Sequence, residues 1–200
     1  ELVTERQKVS IIYDKDGVAL DSIAAHLLAK DIERVSGYLP QVTTAINSVS
    51  GNAIVIGSQA SDLIQSFSEA TTPKQEAWES YTLKLVKPKS SPIKNALVIA
   101  GADARGTAYG VFDISEKIGV SPWYWWADVV PEKQEELTLE ISSFQSKSPK
   151  VKCRGIFLND EDWGSQPWAE HTFEPETGDI GPKTYPKIFE LLLRLKANAI

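Results

Sequence analysis

A cluster of carboxyl and amide side chains follows a short apolar stretch late in the chain. Residues 156–158, Ile-Phe-Leu, run directly into Asn159, Asp160, Glu161 and Asp162. Three neighbouring carboxylates repel one another unless water, a partner or a bound molecule compensates their charge. Enzymes that hydrolyse glycosidic bonds use two carboxyl groups, one of which protonates the leaving oxygen. The spacing alone leaves two interpretations open: a solvated acidic loop, or a site that acts on a sugar.

Aromatic side chains form a second candidate feature. Residues 123–126 are Trp-Tyr-Trp-Trp, and Trp163 and Trp168 lie in the stretch after the acidic cluster. Aromatic faces stack on sugar rings, but they also pack between domains as ordinary core. We expect most of the rings at 123–126 to be core, and we regard Trp163 and Trp168 as the better candidates for lining a pocket.

Two other patterns argue against cofactor chemistry. Residues 101–106 join a predicted strand to a predicted helix, a place where helix amino termini bind phosphate. The stretch lacks the G-x-G-x-x-G spacing, and no P-loop lysine follows it. The single cysteine, Cys153, and two distant histidines, His26 and His171, have no metal-ligand spacing. We therefore expect no cofactor and no metal ion.

Alternating strands and helices are predicted to position these residues. Hydrophobic periodicity and turn residues predict strands at 9–13, 42–46, 53–56, 81–86, 96–100 and 137–141, and helices between 21 and 37, at 61–67 and between 103 and 119. This alternation favours a layered α/β domain, which we place at residues 1–145. The polar stretch at 142–150 is interpreted as a linker.

Residues 146–200 are predicted to hold the linker and the start of a second domain. An apolar strand at 151–158, buried on both faces, is followed by a long loop at 164–182 and a helix from residue 184 with a wide apolar face. We interpret this strand-loop-helix unit as the first of a (β/α)8 barrel, in which catalytic groups cluster at the carboxyl ends of strands. Because the apolar helix needs partners that no later segment supplies, we expect the chain to be a fragment.

Composition restricts the classes of partner. Hydrophobic residues make up 42% and charged residues 24% of the 200 positions, which is typical of a folded globular protein. The formal net charge of −6, with scattered Lys and Arg, excludes the basic patch of a nucleic-acid-binding protein. No apolar run approaches the roughly 20 residues that span a bilayer. The first residue is Glu rather than Met, and we expect an extracytoplasmic protein, periplasmic or secreted.

Four stretches of this sequence, taken in order, resemble glycoside hydrolase family 115. They are residues 105–119 (Arg-Gly-Thr-Ala-Tyr-Gly-Val-Phe-Asp-Ile-Ser-Glu-Lys-Ile-Gly), 121–128 (Ser-Pro-Trp-Tyr-Trp-Trp-Ala-Asp), 154–161 (Arg-Gly-Ile-Phe-Leu-Asn-Asp-Glu) and 189–198 (Phe-Glu-Leu-Leu-Leu-Arg-Leu-Lys-Ala-Asn). The similarity covers about residues 96–198. Before that point the likeness is one of fold pattern.

The resemblance implies an inverting α-glucuronidase that removes glucuronic acid, or its 4-O-methyl form, from the side chains of xylan. It also implies a much longer protein, with helical and β-sandwich domains after the barrel. Family members are often dimeric, so a homodimer of the complete protein is one expectation. We expect these 200 residues alone to be inactive.

The resemblance also assigns roles by position. Asn159 and Asp160 fall where the family's first barrel strand meets the pocket, and Glu116 is a contribution from the first domain. We predict the catalytic residues to be Asp160 and Glu116, and the substrate-binding residues to be Asn159, Glu161, Trp163 and Trp168. The general acid and the water-activating base are expected largely on later strands. The Asp-Trp-Gly-Ser at 162–165 departs from the family pattern and predicts a divergent substrate loop.

Two other functions fit the same sequence. One is a non-catalytic carbohydrate-binding or interaction module, and the other is a hexosaminidase-like hydrolase of the same architecture. A reading frame that continues for several hundred codons favours an enzyme over a module. A panel of aryl glycosides and xylan oligosaccharides separates the two kinds of hydrolase.

Overall fold

The computed structural model describes residues 1–67, 77–89, 91–158 and 164–200. These residues form two compact units, Glu1–Lys150 and Val151–Ile200. Within the described residues, no helix combines the length and the apolar character that crossing a bilayer requires.

The first unit is built on one mixed sheet. Its six strands are β1 (Ser10–Tyr13), β2 (Val42–Thr43), β3 (Gly51–Ser58), β4 (Tyr81–Val86), β5 (Ile93–Gly101) and β6 (Phe144–Gln145). They lie side by side in the order β2-β1-β3-β5-β4-β6. Strands β2, β1, β3 and β5 pair in parallel, whereas β4 is antiparallel to both β5 and β6. The near-continuous apolar sequences of β3 and β5 are typical of central strands buried on both faces.

Helices cover both faces of this sheet. The helices are α1 (Ala19–Ser36), α2 (Asp62–Ser66) and α3 (Ala104–Lys117). Because side chains alternate along a strand, neighbours in β5 face different helices: Val98 shares a buried cluster with Ile64 of α2, whereas Ile99 lies against Gly110 of α3. Helices α1 and α3 pack on each other and on the sheet. The predicted layered α/β domain is therefore confirmed.

Side-chain and glycine caps fix the helix ends. Gly37 ends α1 with a φ of 77°, the left-handed stop that the sequence predicts. Ser61 caps α2 by accepting a hydrogen bond from the Ile64 amide, and Asp103 caps α3 through the Gly106 amide at 2.7 Å. The second Asp103 carboxylate oxygen accepts from the Glu79 amide at 2.9 Å. The turn at 101–106 thus uses its carboxylate for capping.

Several predicted boundaries in the first unit are wrong. The expected strand at 137–141 is reduced to an isolated bridge between Val3 and Leu137. The stretch interpreted as a linker contains β6, which pairs with the outer side of β4. In addition, α1 begins at Ala19, so that Asp21 lies in its first turn rather than at its cap.

The second unit consists of an extended segment, a helical loop and a helix. Helix α4 (Ser165–Trp168) continues into a π-helical turn at Ala169–Phe173, so the long loop expected at 164–182 is partly helical. Helix α5 (Thr184–Arg194) begins at the predicted residue. After α5 the chain returns to the extended segment, where Ala199 forms a parallel bridge with Gly155. An extended segment and a helix, followed by a second extended segment parallel to the first, are the connection that α/β folds repeat.

A buried carboxylate anchors the start of α5. Glu174 is 1% exposed and accepts hydrogen bonds from the Lys183 and Thr184 amides, both at 2.9 Å, and from the Thr184 hydroxyl at 2.8 Å. Burial raises the pKa of Glu174, but the bonds from Lys183, Thr184 and Gly181 outweigh burial and hold it below its ordinary value. The ionised carboxylate therefore stabilises the beginning of the helix.

Replacing Gly155 tests the contact on which the second unit closes. A Cβ atom on residue 155 would overlap the carbonyl oxygen of Ala199. We expect Gly155→Ala to destabilise this pairing by ~1–3 kcal/mol, the usual cost of overpacking. Hydrogen exchange at the amides of 198 and 199 should then be faster by roughly one to two orders of magnitude. The exposed neighbour Cys153 provides the control, Cys153→Ala, and equal exchange in the two variants would contradict the prediction.

Glu174 gives the second unit a defined pH dependence. Because its folded pKa lies below the ordinary value of 4.5, its contribution is complete at pH values above about 4.5 and disappears as pH falls through the folded pKa. Glu174→Gln should make α5 less stable at pH 7 and remove this part of the acid dependence. Limited proteolysis of the complete protein between pH 3 and 7 measures both effects. Asp179→Asn, an exposed carboxylate, is the control and should leave the profile unchanged.

Candidate active site

Most of the predicted site residues lie outside the part of the chain that the structure describes. These are Asn159, Asp160, Glu161 and Trp163. Leu158, just before them, and Gly164, just after them, are both described. Of the other two predicted residues, Glu116 belongs to the first unit and Trp168 to the second.

The backbone that leads to Asn159 is anchored at its beginning. The Arg154 amide donates to the Asn198 side-chain oxygen at 2.9 Å, and the Asn198 amide donates back to the Arg154 carbonyl at 2.7 Å. The Arg154 guanidinium donates to the Lys196 carbonyl from Nε at 3.1 Å and from Nη2 at 2.9 Å. These bonds hold residue 154 beside the end of the α5 segment, five residues before Asn159.

The prediction of a regular strand at 151–158, buried on both faces, is wrong for the second unit. Phe157 is 93% exposed, and Ile156 and Leu158 are only half-buried. Within the described residues of this unit, pairing with the segment is limited to the residues that follow α5. The apolar side chains after Gly155 therefore remain at least partly accessible to solvent.

Trp168 packs within its own unit. Its ring stacks on Phe173, with centroids 5.2 Å apart and planes inclined by 10°. The continuous α-helical and π-helical turns bring these two residues, five positions apart, onto the same side. Trp168 and Phe173 therefore form a stacked aromatic pair in the stretch that follows the acidic cluster.

Glu116 is exposed near the end of α3, close to a buried polar pair. Asp113, one turn earlier, is buried, with 9% of its surface exposed. The Tyr81 hydroxyl forms a hydrogen bond with Asp113, and Lys117 Nζ lies 3.6 Å from the Asp113 carboxylate. Burial, together with the charges of Asp113 and Glu116, raises the pKa of Tyr81, which keeps its proton and donates it.

The aromatic run does not form core as expected. Trp123 is 42% exposed, and the next three rings are half-buried. Trp125 and Trp126 meet edge to face with centroids 4.8 Å apart, and the Arg34 guanidinium lies 4.5 Å from the centre of the Tyr124 ring. These aromatic side chains form a partly accessible surface that follows α3 and Gly119.

The sequence analysis missed a crevice at the carboxyl ends of β1 and β3. It has a volume of about 450 Å³, and its lining includes Asp14, Asp16, Asp21, Ser61 and Asp62. Burial and the nearby charge of Asp14 raise the pKa of Asp21 to about 6. The signal in the sequence is Asp-Lys-Asp-Gly at 14–17, immediately after a strand. Among the described residues, no group of three or more His, Cys, Asp or Glu residues is arranged to hold a metal ion.

Comparisons with known proteins agree with this architecture. A solved family 115 4-O-methyl-α-glucuronidase with specificity for decorated arabinogalactans is 38% identical to this chain, with a TM-score of 0.78. The match covers 98% of this chain and 25% of that one, so the chain spans about a quarter of the length of that enzyme. A family 138 enzyme that targets pectin rhamnogalacturonan II is 14% identical, with a TM-score of 0.53 over 96% of this chain and 18% of its own. At that identity the likeness shows the fold alone.

The family model of glycosyl hydrolase family 115 matches residues 146–200. No curated protein matches the chain. The similarity to the family 115 structure extends over the first unit as well, beyond the motifs at 105–119, 121–128, 154–161 and 189–198. This chain therefore belongs to glycosyl hydrolase family 115.

Proposed function

We propose that the complete protein is an α-glucuronidase that removes glucuronic acid, or its 4-O-methyl form, from the side chains of a polysaccharide. The observation that carries the proposal is 38% identity, over 98% of this chain, to a family 115 4-O-methyl-α-glucuronidase. The acidic cluster at 159–162 is consistent with it, because glycoside hydrolysis requires carboxyl groups at the scissile bond. The unit from residue 151 onward is proposed to begin a (β/α)8 barrel.

In this proposal Asp160 lies at the carboxyl end of the first barrel strand. The support is the parallel bridge between Gly155 and Ala199, since adjacent parallel strands are what a barrel is made of. Residue 154, five positions before Asn159, is held by the backbone and side chain of Asn198. Asn159, Glu161, Trp163 and Trp168 are proposed to bind the sugar around this position.

Glu116 is proposed as a second catalytic carboxylate, contributed by the first domain (residues 1–145). It is exposed, and it lies near the Tyr81–Asp113 pair, so its surroundings are already acidic. The mechanism is proposed to be inverting, in which the general acid and the water-activating base, expected largely on later strands, lie about 6.5–9.5 Å apart to leave room for water.

Two polymers are candidates for the substrate. Xylan decorated with glucuronic acid is the polymer that the motif resemblance implies. A decorated arabinogalactan is supported by the specificity of the 38% identical family 115 enzyme. Because such polymers are too large to cross a membrane freely, we propose an extracytoplasmic location. We also propose that the complete protein is a homodimer, which light scattering after size-exclusion chromatography tests.

Replacing Asp160 tests the catalytic assignment. Asp160→Asn in the complete protein keeps the shape of the side chain but removes its ability to carry a negative charge and to exchange a proton. We expect release of glucuronic acid to fall by roughly 10²–10⁴-fold, as for loss of an acid–base group. Asp179→Asn, an exposed carboxylate of the same unit, should retain full activity. Unchanged turnover by a folded Asp160→Asn variant would remove Asp160 from the mechanism.

A substrate panel tests the reaction itself. The complete protein should release 4-O-methylglucuronic acid from glucuronoxylan or from decorated arabinogalactan, and NMR of the first product should show the β-anomer that inversion gives. It should leave aryl β-hexosaminides intact. Release of a hexosamine would favour the hexosaminidase alternative, and binding without hydrolysis would favour the non-catalytic module.

A further inference from the structure

The crevice between the ends of β1 and β3, here called the β1–β3 crevice, has the position of a ligand site. Strand β1 leads through α1 to β2 on one side, whereas β3 lies on the other side of β1, so the chain changes direction between these two strands. In open α/β sheets, ligands bind outside the carboxyl ends of strands at such a switch point. Its volume of about 450 Å³ lies within the range of small-ligand pockets.

The charges of the crevice select for a cation. The amino termini of α1, α2 and α3 point to this edge of the sheet, and each helix end carries roughly half a positive charge. Such ends alone favour an anion, as in phosphate-binding loops. However, four carboxylates line the crevice, those of Asp14, Asp16, Asp21 and Asp62, and the lining formed by the described residues contains no Lys or Arg. The nearby Lys15 lies 3.7 Å from the Asp16 carboxylate and offsets one of these charges. The full negative charges exceed the partial positive ones, and anionic ligands are repelled.

Asp21 identifies where in the crevice the cation would bind. Its side chain lines the crevice, is 2% exposed, and has one oxygen, Oδ1, that accepts no hydrogen bond from any described residue. A buried carboxylate oxygen that accepts no hydrogen bond is costly in free energy. A bound cation would supply the missing partner.

Two glycines keep the space beside Asp21 open. A Cβ atom on Gly17 would overlap Asp21 Oδ2 and would lie 3.3 Å from Asp14 Cβ. A Cβ atom on Gly57 would lie 3.2 Å from Ser61 Oγ and 3.4 Å from Asp14 Cβ. Asp14 therefore lies close to Asp21 on the side of Gly17 and close to Ser61 on the side of Gly57, and a larger residue at either glycine would displace these side chains. All of their polar atoms are oxygens.

We propose that the β1–β3 crevice binds a calcium ion through the carboxylates of Asp14 and Asp21. The Ser61 hydroxyl and water complete the coordination, because calcium takes six to eight oxygen ligands in flexible geometry. Two carboxylates are fewer than a tight site uses, and no group of three forms among the described residues. The affinity is accordingly that of extracellular calcium modules, with a dissociation constant on the order of 10⁻⁴–10⁻³ M.

Calcium fits this site better than magnesium does. Magnesium requires nearly ideal octahedral geometry at about 2.0–2.1 Å and dehydrates reluctantly. The crevice instead offers a roomy space with carboxylates from a loop and from the first turn of α1. The site uses neither Asp160 nor Glu116, so the proposal does not depend on the enzymatic function proposed above.

Calorimetric titration of the complete, chelator-treated protein with CaCl₂ tests the proposal, with KCl keeping the ionic strength constant. Wild type should show a saturable site in the range of 10⁻⁴–10⁻³ M, and Asp21→Asn should weaken it at least tenfold. Asp14→Asn should have the same effect. Glu135→Gln, an exposed carboxylate of the same unit that does not line the crevice, should bind like wild type.

Thermal unfolding provides a second measurement that separates binding from misfolding. Without calcium, Asp21→Asn should unfold at a temperature no lower than wild type, because it removes a buried charge that has no hydrogen-bond partner. With calcium, only wild type and Glu135→Gln should gain stability. The proposal is overturned if wild type and Asp21→Asn bind calcium equally, if MgCl₂ binds as tightly as CaCl₂, or if wild type shows no saturable calcium binding.

Discussion

The hydrogen bonds between Arg154 and Asn198 are the interaction on which the candidate active site depends. The segment that leads to Asn159 and Asp160 has no regular sheet around it in its own unit, and Phe157 is 93% exposed. Two hydrogen bonds between Arg154 and Asn198 set its position, one from the Arg154 amide to the Asn198 side chain and one from the Asn198 amide to the Arg154 carbonyl. The Arg154 guanidinium and the close approach of Gly155 to Ala199 add to them. These contacts are made before the apolar residues 156–158, so they fix the beginning of the segment that leads to the acidic cluster.

The parallel pairing of β1, β3 and β5 has a comparable role in the first unit. It brings the loops that follow these strands to one edge of the sheet, where the acidic loop after β1 meets the start of α2 and the turn before α3. The resulting edge concentrates negative charge at a switch point of the fold. The family motifs in this unit begin at the opposite side of that turn, at Arg105.

Local patterns predicted the elements whose signals are local. Strand β4 has the predicted bounds because its alternation is regular, and Gly37 ends α1 because a left-handed residue is required there. The strand expected at 137–141 failed because pairing with Val3, a contact far away in sequence, decides its structure. Helical periodicity cannot show that Asp113 is buried, because its hydrogen-bond partner Tyr81 lies in a different element. The β1–β3 crevice was missed because it combines residues from three separate loops, which only the sheet order brings together.

The short outer strands have a consequence for how the protein behaves at high concentration. Strands β2 and β6, at the two ends of the sheet, are each two residues long. Unpaired backbone groups along an outer strand are a template on which other chains can add and polymerise into fibrils. Two residues offer at most a few such groups, so growth of ordered aggregates from either end of this sheet is disfavoured. The first unit therefore combines a strongly apolar central sheet with outermost strands that are too short to recruit another chain efficiently.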